Sequence, residues 1–349
     1  MSIENSFNYK EKILILKNDA VGDLCQSLPA IHNIINSKNR DIEIYLSERS
    51  KNFKFLIKGK NIKFKVFSYD LKFIEKLRII KKLFFEKIDK VYILTPKNFY
   101  FFLPFLFRRI KFYGICLNGP NNYYRPNFFF RKYLYKYIIN DRSKIYKRDS
   151  TEYLQKKLTS NNNFDNNFIP IYHIKVSEFL KTNIPNNYVY LHLKNDTIKK
   201  LGWDINDLKY LFENLLKYYQ NVVFTKDIEK NKNFIDFSKL FNVINFSNKE
   251  IIKKKNKIYL FDNIKGEDLY NTIKLSSKII AFHGMMTNLG SLMKKSITDL
   301  WFCEINNWHD YRNYRNAFYE FKPKYNGYNF IIPSKDIKKT FRKLIFSIK

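Results

Sequence analysis

A chain of 349 residues is long enough for about two domains of ordinary size and needs no disulfide or metal to hold a core. Its hydrophobic fraction of 45%, with aromatics at 18%, excludes an intrinsically disordered protein, because that much apolar surface offsets the entropy of ordering the chain. Lys+Arg 64 against Asp+Glu 32 leaves a net charge of +32, a field that attracts phosphates, nucleic acid and anionic lipid. Abundant Lys, Asn, Ile, Phe and Tyr beside scarce Gly, Pro and Trp is also what an AT-rich coding sequence produces, so part of that charge is compositional.

Cys25, Cys116 and Cys303 are too widely spaced for a disulfide framework or a zinc site, and a reducing compartment is expected. The first residues, Met1 to Tyr9, are polar, and no stretch stays uncharged for the roughly 18 residues a spanning helix needs. Neither a signal peptide nor a transmembrane anchor is expected, which suits a cytoplasmic protein.

Lys12 to Leu16 reads as a strand, followed by a polar loop to Gly22 and a helix with apolar positions at Leu24, Leu28, Ile31, Ile34 and Ile35. Further strands are expected at Asp41 to Leu46, Lys63 to Phe67 and Lys90 to Leu94, with a basic amphipathic helix over Leu71 to Phe85. From Arg108 to Tyr146 the pattern is aromatic and basic and gives no assignment. The Asn-rich segment from Ser160 to Asn167, then Pro170 and Ile184 to Asn187, marks a boundary. Beyond it the alternation resumes, with strands at Tyr188 to Leu193, Asn221 to Thr225, Lys278 to Phe282 and Ser296 to Phe302. Helices are expected at Ile205 to Tyr219 and Gly266 to Leu275, and a last helix capped by Ser334. Strands alternating with helices predict an α/β protein of two doubly wound, Rossmann-like parallel-sheet domains facing across a cleft. The expected division is residues 1–175, residues 186–333, and a C-terminal helix over 334–349.

Two stretches carry the chemistry. In KILILKNDAVGDLCQSLP, Lys12 to Pro29, a strand runs into a loop where Gly22 permits close backbone approach. Asp23 then falls in the first turn of a helix, beneath unpaired N–H groups, where it serves either as a cap or as a presented carboxylate. In AFHGMMTNLGSL, Ala281 to Leu292, a strand ends, Gly284 frees the backbone and a helix begins near Thr287, its expected cap, so N–H groups again face the carboxyl edge of the sheet.

The order strand, small loop, Gly22-Asp23, then Leu28-Pro29 resembles the opening motif of glycosyltransferase family 9, the ADP-heptose:lipopolysaccharide heptosyltransferases and their relatives. Arg108 to Gly114 is similar to that family's basic turn, and Arg148 to Leu154 to its first interdomain helix. Tyr190 to Leu211 resembles its strand, His-containing phosphate loop, Lys, Trp and helix. The resemblance spans nearly the whole chain. It implies a GT-B fold and an inverting, metal-independent transfer of a sugar, heptose in the relatives, from a nucleotide-sugar donor to a lipopolysaccharide-type or other surface-glycan acceptor.

By the same resemblance Asp23 is the general base, and the donor is held by Gly22, His192, Lys194, Asn195, Lys199, Lys200, Glu229, His283, Gly284, Thr287 and Asn288. Each has a plainer reading: His192 as a core histidine, the lysines as a solvated turn, Asp227 and Glu229 as surface acids. The segment after Phe282 departs from the family, which has Asp-Thr-Gly and a later histidine there; His283-Gly284 with Thr287-Asn288 resembles the HG…TN pattern of other glycosyltransferases, whose histidine contacts donor phosphate. No cofactor beyond the nucleotide-sugar substrate is implied. A nucleic-acid-binding protein is the alternative suggested by the charge and by the Tyr123 to Tyr137 aromatics, although the cations are spread along the chain and no nucleic-acid motif occurs. A GT-B protein without transferase activity is the other. The basic helix and the aromatic run Phe99 to Phe107 also suit peripheral contact with a glycolipid acceptor's anionic membrane.

Overall fold

A computed structural model describes residues 9–36, 39–118, 125–141, 149–160, 174–226, 242–247, 250–255, 257–262, 264, 266–302 and 321–348. The chain divides into two compact units, Met1–Pro170 with Trp308–Lys322, and Ile171–Asn307 with Pro323–Lys349.

Unit 1 runs β1 (Glu11–Lys17), α1 (Val21–Ile35), β2 (Arg40–Ser47), β3 (Ile62–Phe67), α2 (Phe73–Phe85), β4 (Lys90–Ile93), α3 (Asn98–Leu106), β5 (Lys111–Asn118), α4 (Arg125–Phe130), β6 (Lys136–Asp141) and α5 (Thr151–Thr159). Its six strands lie in the order β3-β2-β1-β4-β5-β6, all parallel. Helices cover both faces of such a sheet, so β1 is apolar at consecutive positions and Ile13 to Lys17 are all buried. Leu24, Leu28 and Ile31 recur at helical spacing on α1 and are fully buried, each contributing about 1.5–3 kcal/mol of burial. Ala20 is the N-cap of α1 and makes no side-chain cap, which leaves Asp23 inside the first turn rather than capping it. α1 continues through Pro29, which removes one backbone hydrogen bond from its interior.

Unit 2 runs α6 (Glu178–Asn183), β7 (Tyr188–Leu193), α7 (Asn195–Leu201), α8 (Ile205–Leu215), β8 (Asn221–Lys226), β9 (Asn242–Ser247), β10 (Glu250–Lys255), β11 (Ile258–Asp262), α9 (Glu267–Leu275), β12 (Lys278–Phe282), α10 (Met285–Leu292), β13 (Ile297–Leu300), β14 (Tyr328–Ile331) and α11 (Ile337–Ile348). The eight strands are ordered β14-β13-β12-β7-β8-β11-β10-β9; β14 through β11 are parallel and β10 and β9 extend the edge antiparallel. The core on one face joins Leu191, Phe224 and Phe282 of the sheet to Leu208 and Leu211 of α8 and Phe341 of α11. Gly290 lets α10 sit directly on the sheet, since a Cβ there would lie 2.3 Å from Ile279 Cδ1.

The unassigned stretch from Arg108 holds β5, α4 and β6. Three expectations change. The residues after Leu193 form α7, so Lys199 and Lys200 stand exposed in a helix, not in a loop. α10 begins at Met285 with Gly284 as its N-cap; Thr287 accepts from the Gly284 N–H at 3.1 Å and donates to its carbonyl at 2.9 Å from within the first turn. The cap of α11 is Asp336, whose Oδ1 accepts from Lys338 N at 2.9 Å, while Ser334 accepts from Asp336 N one turn earlier.

Candidate active site

Both sheets have a point where the chain reverses its direction of growth. In unit 1 the strands build outward from β1 to β3 and then restart beside β1 at β4. In unit 2 they build outward from β7 and restart beside it at β12. At such a switch the two loops leaving the carboxyl ends of neighbouring strands diverge, and the gap between them is where open α/β sheets bind ligands.

In unit 1 that gap is a cavity of ≈ 280 Å³. Lys17, Asp19 and Asp23 line it from the β1 side, Leu94, Thr95, Pro96 and Lys97 from the β4 side, and Tyr69 and Asp70 from the loop after β3. Asp23 is half-buried, and the N–H groups of the first helical turn surround it. Tyr69 lines the same cavity, and burial, with the Asp23 charge, raises its phenol above the ordinary tyrosine range. Gly22, beside it in the same turn, is half-buried.

Behind Asp23 lies a buried ion pair. Lys17 is 1% exposed and donates to Asp19 Oδ2 at 2.7 Å; Thr95 Oγ1 donates to the same oxygen at 2.9 Å, and Ser47 Oγ donates to the Asp19 carbonyl. Asp19 therefore ties the end of β1 to β2 and to the loop after β4. Its Oδ1 is buried with no partner among the described residues. Lys97 donates to the Tyr69 carbonyl and sits 4.7 Å from that ring's centroid. Burial lowers its ammonium below the ordinary lysine range, opposed by the carboxylates of Asp70 and Asp19. The walls thus offer three carboxylates, two ammonium groups and the apolar sides of Ile115, Leu117 and Leu154, a set that suits a polyhydroxylated ligand.

In unit 2 the loops after β7 and β12 meet. Lys194, the N-cap of α7, donates its ammonium to the His283 carbonyl. Gly284 has φ +152, a backbone angle that calls for glycine, and the flexible end of the Lys194 side chain lies against it. Lys194, His283, Gly284 and the first turn of α10, with Thr287 and Asn288, are brought together. His283 is held from behind: its Nδ1 is 2.7 Å from Asp299 Oδ2, and Tyr328 donates to that same oxygen at 2.7 Å. A carboxylate only accepts, so Nδ1 carries the proton and Nε2 is the other ring nitrogen to be used. Trp301 stacks on the imidazole at 3.7 Å between centroids and donates Nε1 to Tyr328 at 3.0 Å. Asp299 is fully buried, and its Oδ1 has no partner among the described residues.

His192 is placed differently from these. It is 3% exposed on β7, with Nδ1 2.9 Å from Thr225 Oγ1, which is in turn 2.6 Å from the Tyr190 hydroxyl. That is the environment of a hydrogen-bonded core histidine. Asn195 opens α7 beside Lys194, whereas Lys199 and Lys200 project from its last turn. Glu229 and Asp227 lie outside the described residues, as does Cys303. Trp203 packs under α7 at 3% exposure, donating Nε1 to the Ser334 carbonyl at 3.0 Å. Burial raises the thiols of Cys25 and Cys116. No group of three or more His, Cys, Asp or Glu side chains among the described residues is arranged to hold a metal ion.

Sequence reasoning missed Lys17, Asp19, Lys97, Asp299 and Tyr328. The sequence carried no direct signal for them: Lys17 and Asp19 read as loop charges after a strand ending at Leu16, and Asp299 sits among Ile297, Thr298 and Leu300 with its partners far away in sequence.

No protein-family model matches the chain, and no curated protein sequence is similar to it. Solved structures do share its architecture. The glycosyl transferase family 9 protein from Veillonella parvula DSM 2008 aligns with 97% of this chain and 90% of its own length at a TM-score of 0.62 and 12% identity. The E. coli heptosyltransferase WaaC with ADP aligns over 97% and 100% at a TM-score of 0.56 and 9% identity. The UDP-GlcNAc 2-epimerase from Methanocaldococcus jannaschii aligns over 96% and 92% at 0.53 and 14% identity. The chain has the GT-B-type fold that glycosyltransferases and nucleotide-sugar epimerases share.

Proposed function

We propose that this chain is an inverting, metal-independent glycosyltransferase that moves a sugar from a nucleoside-diphosphate donor to a hydroxyl of a surface-glycan or glycolipid acceptor. The observation that carries the reading is Asp23, half-buried in the first turn of α1 at the switch point of the first sheet, on the wall of a cavity with polar and apolar sides. In the reaction the acceptor oxygen attacks the anomeric carbon and the bond from that carbon to the diphosphate oxygen breaks. The bonding pair leaves with the diphosphate, and the acceptor proton passes to the Asp23 carboxylate. Proton removal of this kind contributes about 10²–10⁴-fold. The diphosphate gains negative charge as it leaves, and the backbone N–H groups opening α10, with His283 Nε2, are the donors suited to it. In this reading Lys194 braces the loop through the His283 carbonyl, which keeps those N–H groups in place.

A thermal-shift screen against ADP-, GDP-, UDP- and CMP-linked sugars identifies the donor, because a ligand bound only by the folded chain raises its melting temperature. Transfer by Asp23→Asn is then expected to fall about 10²–10⁴-fold in kcat with the donor shift retained. Wild-type turnover in that variant refutes the assigned base. Conversion of the donor sugar with no acceptor present identifies a nucleotide-sugar epimerase instead.

A further inference from the structure

Helix α2 is apolar on two opposite sides. Ile79 and Leu83 are buried in the unit 1 core, which accounts for one side. On the other, Phe73, Ile74, Leu77, Phe84 and Phe85 are 72, 63, 47, 64 and 73% exposed. At 100° per residue these five fall within about a third of the helix circumference, so they form one face rather than scattered surface residues. α3 continues it with Phe102, Phe105 and Leu106, all exposed, and the rings of Phe102 and Phe105 lie 5.6 and 6.2 Å from Phe130 of α4. The helices are joined at both ends of α2: Lys76 stands 5.8 Å from the Phe99 ring, and Arg109 donates to the carbonyls of Leu83 and Phe84 at 3.1 and 2.9 Å. A monomeric soluble protein rarely leaves so large an apolar surface open to water.

Cations rim the face and its acids are occupied. Arg78 and Arg108 are exposed at its edges and Lys81 is exposed within it, between Leu77 and Ile74; Arg108 lies over the Tyr133 ring at 4.1 Å, and Lys132 over Phe129 at 5.0 Å. Glu75 is turned away to accept from Ser68 and Lys72 backbone N–H groups at 2.8 Å each, and Glu86 is paired with Lys82 at 2.6 Å. We infer that this face docks on an anionic lipid bilayer, the aromatic side chains entering the headgroup layer and the rim cations binding lipid phosphates. A second copy of the chain would bring like charges together, and a neutral apolar partner would leave the cations without counterions; an anionic leaflet meets both requirements. Docking itself is independent of the transfer reading. It gains a purpose from it, because the loop that leads into α2 carries Tyr69 and Asp70 of the cavity, where a lipid-anchored acceptor would present its sugar.

The test is co-sedimentation of the full-length protein with vesicles of phosphatidylcholine alone and of an equal mixture with phosphatidylglycerol, at low and high salt. Binding is expected to the mixed vesicles, weakly to phosphatidylcholine, and to fall with salt. Arg78→Glu with Lys81→Glu lowers partitioning at least about 25-fold, at about fivefold per cation removed. Phe84→Ser with Phe85→Ser also releases the protein, and because both positions are exposed the melting temperature and any nucleotide-induced shift are unchanged. Equal binding to both vesicle types, no binding, wild-type binding by either pair of variants, or a concentration-dependent dimer dissolved by Phe84→Ser with Phe85→Ser would each overturn the inference. Failure of nucleotide binding alone would count against the transfer reading and leave this one standing.

Discussion

Lys17→Met isolates what holds the unit 1 cavity together. The substitution keeps the length of the side chain but removes the ammonium that lies 2.7 Å from Asp19, at a position 1% exposed. Asp19 is then a carboxylate whose side chain is 10% exposed, with the Thr95 hydroxyl at 2.9 Å its remaining side-chain donor among the described residues. Removing one partner of a buried ion pair costs about 3–5 kcal/mol, and for a unit of this size each kcal/mol lowers the melting temperature by about 2–4 °C, so a fall of about 6–20 °C is expected. The double variant Lys17→Met with Asp19→Leu should recover most of it, since an apolar pair of similar volume is often as stable as the ions, leaving about 1 kcal/mol for the Thr95 hydroxyl that loses its acceptor. Calorimetry gives the melting temperature, and hydrogen exchange locates the effect: β1 amides lose protection and β7 amides keep it. A loss under about 1 kcal/mol, or a double variant no better than the single, refutes the reasoning.

Burial in α1 holds His32 below its ordinary value of 6.5, against the opposing hydrogen bond to the Leu56 carbonyl at 3.2 Å. The folded state therefore keeps the ring neutral while the unfolded chain binds a proton below pH 6.5; stability is full above that pH and declines as pH falls, and His32→Gln flattens the decline in a series of melting curves between pH 7.5 and 5. Gly284→Ala meets the φ of +152, which strains the start of α10, so it should weaken nucleotide-diphosphate binding about tenfold, read by titration calorimetry, while unit 1 melts unchanged. Asp299→Leu removes the acceptor of His283 Nδ1–H and costs about 1–3 kcal/mol; the ¹⁵N resonances of His283 should show the loss of a fixed Nδ1–H tautomer, and an unchanged spectrum would contradict the pairing.

The parallel strands with uninterrupted apolar runs were legible in the sequence because a strand buried on both faces has no polar side to hide it: Ile13 to Leu16 and Tyr188 to Leu193 are buried throughout. β5 was not legible, because Gly114 in Lys-Phe-Tyr-Gly reads as a turn. The structure uses that glycine for contact, as a Cβ there would stand 3.3 Å from Phe101 on α3. The Lys194, His283 and Gly284 group could be found because it directly follows β7 and β12, and Asp23 because Gly22 marks the turn into the helix after β1. The ion pair could not, since Lys17 and Asp19 read as loop charges until β4 is set beside β1 and Thr95 arrives on Asp19. Asp299 is hidden for the same reason: β13 is enclosed by β12 and β14, which bring His283 and Tyr328 to it from either side.

The two switch points share a costly device. Each sheet buries a carboxylate there, Asp19 with Lys17 and Asp299 with His283, and each carboxylate leaves one oxygen without a partner among the described residues. A buried acceptor left unsatisfied costs about 1–3 kcal/mol, and an apolar pair in place of Lys17 and Asp19 comes within about 1 kcal/mol of the ions. The charges therefore add little to the stability of the sheets at the two places where the topology opens a gap for a ligand. What they do is position the loops there: Asp19 ties β1 to Thr95, and Asp299 orients His283. Within β1 the contrast is local: beside its charged end, Ile13 to Leu16 are apolar and no more than 1% exposed. Replacing Lys17 and Asp19 by methionine and leucine should then leave a protein that melts within a few degrees of the wild-type temperature, at about 2–4 °C per kcal/mol, but has lost the cavity chemistry in unit 1.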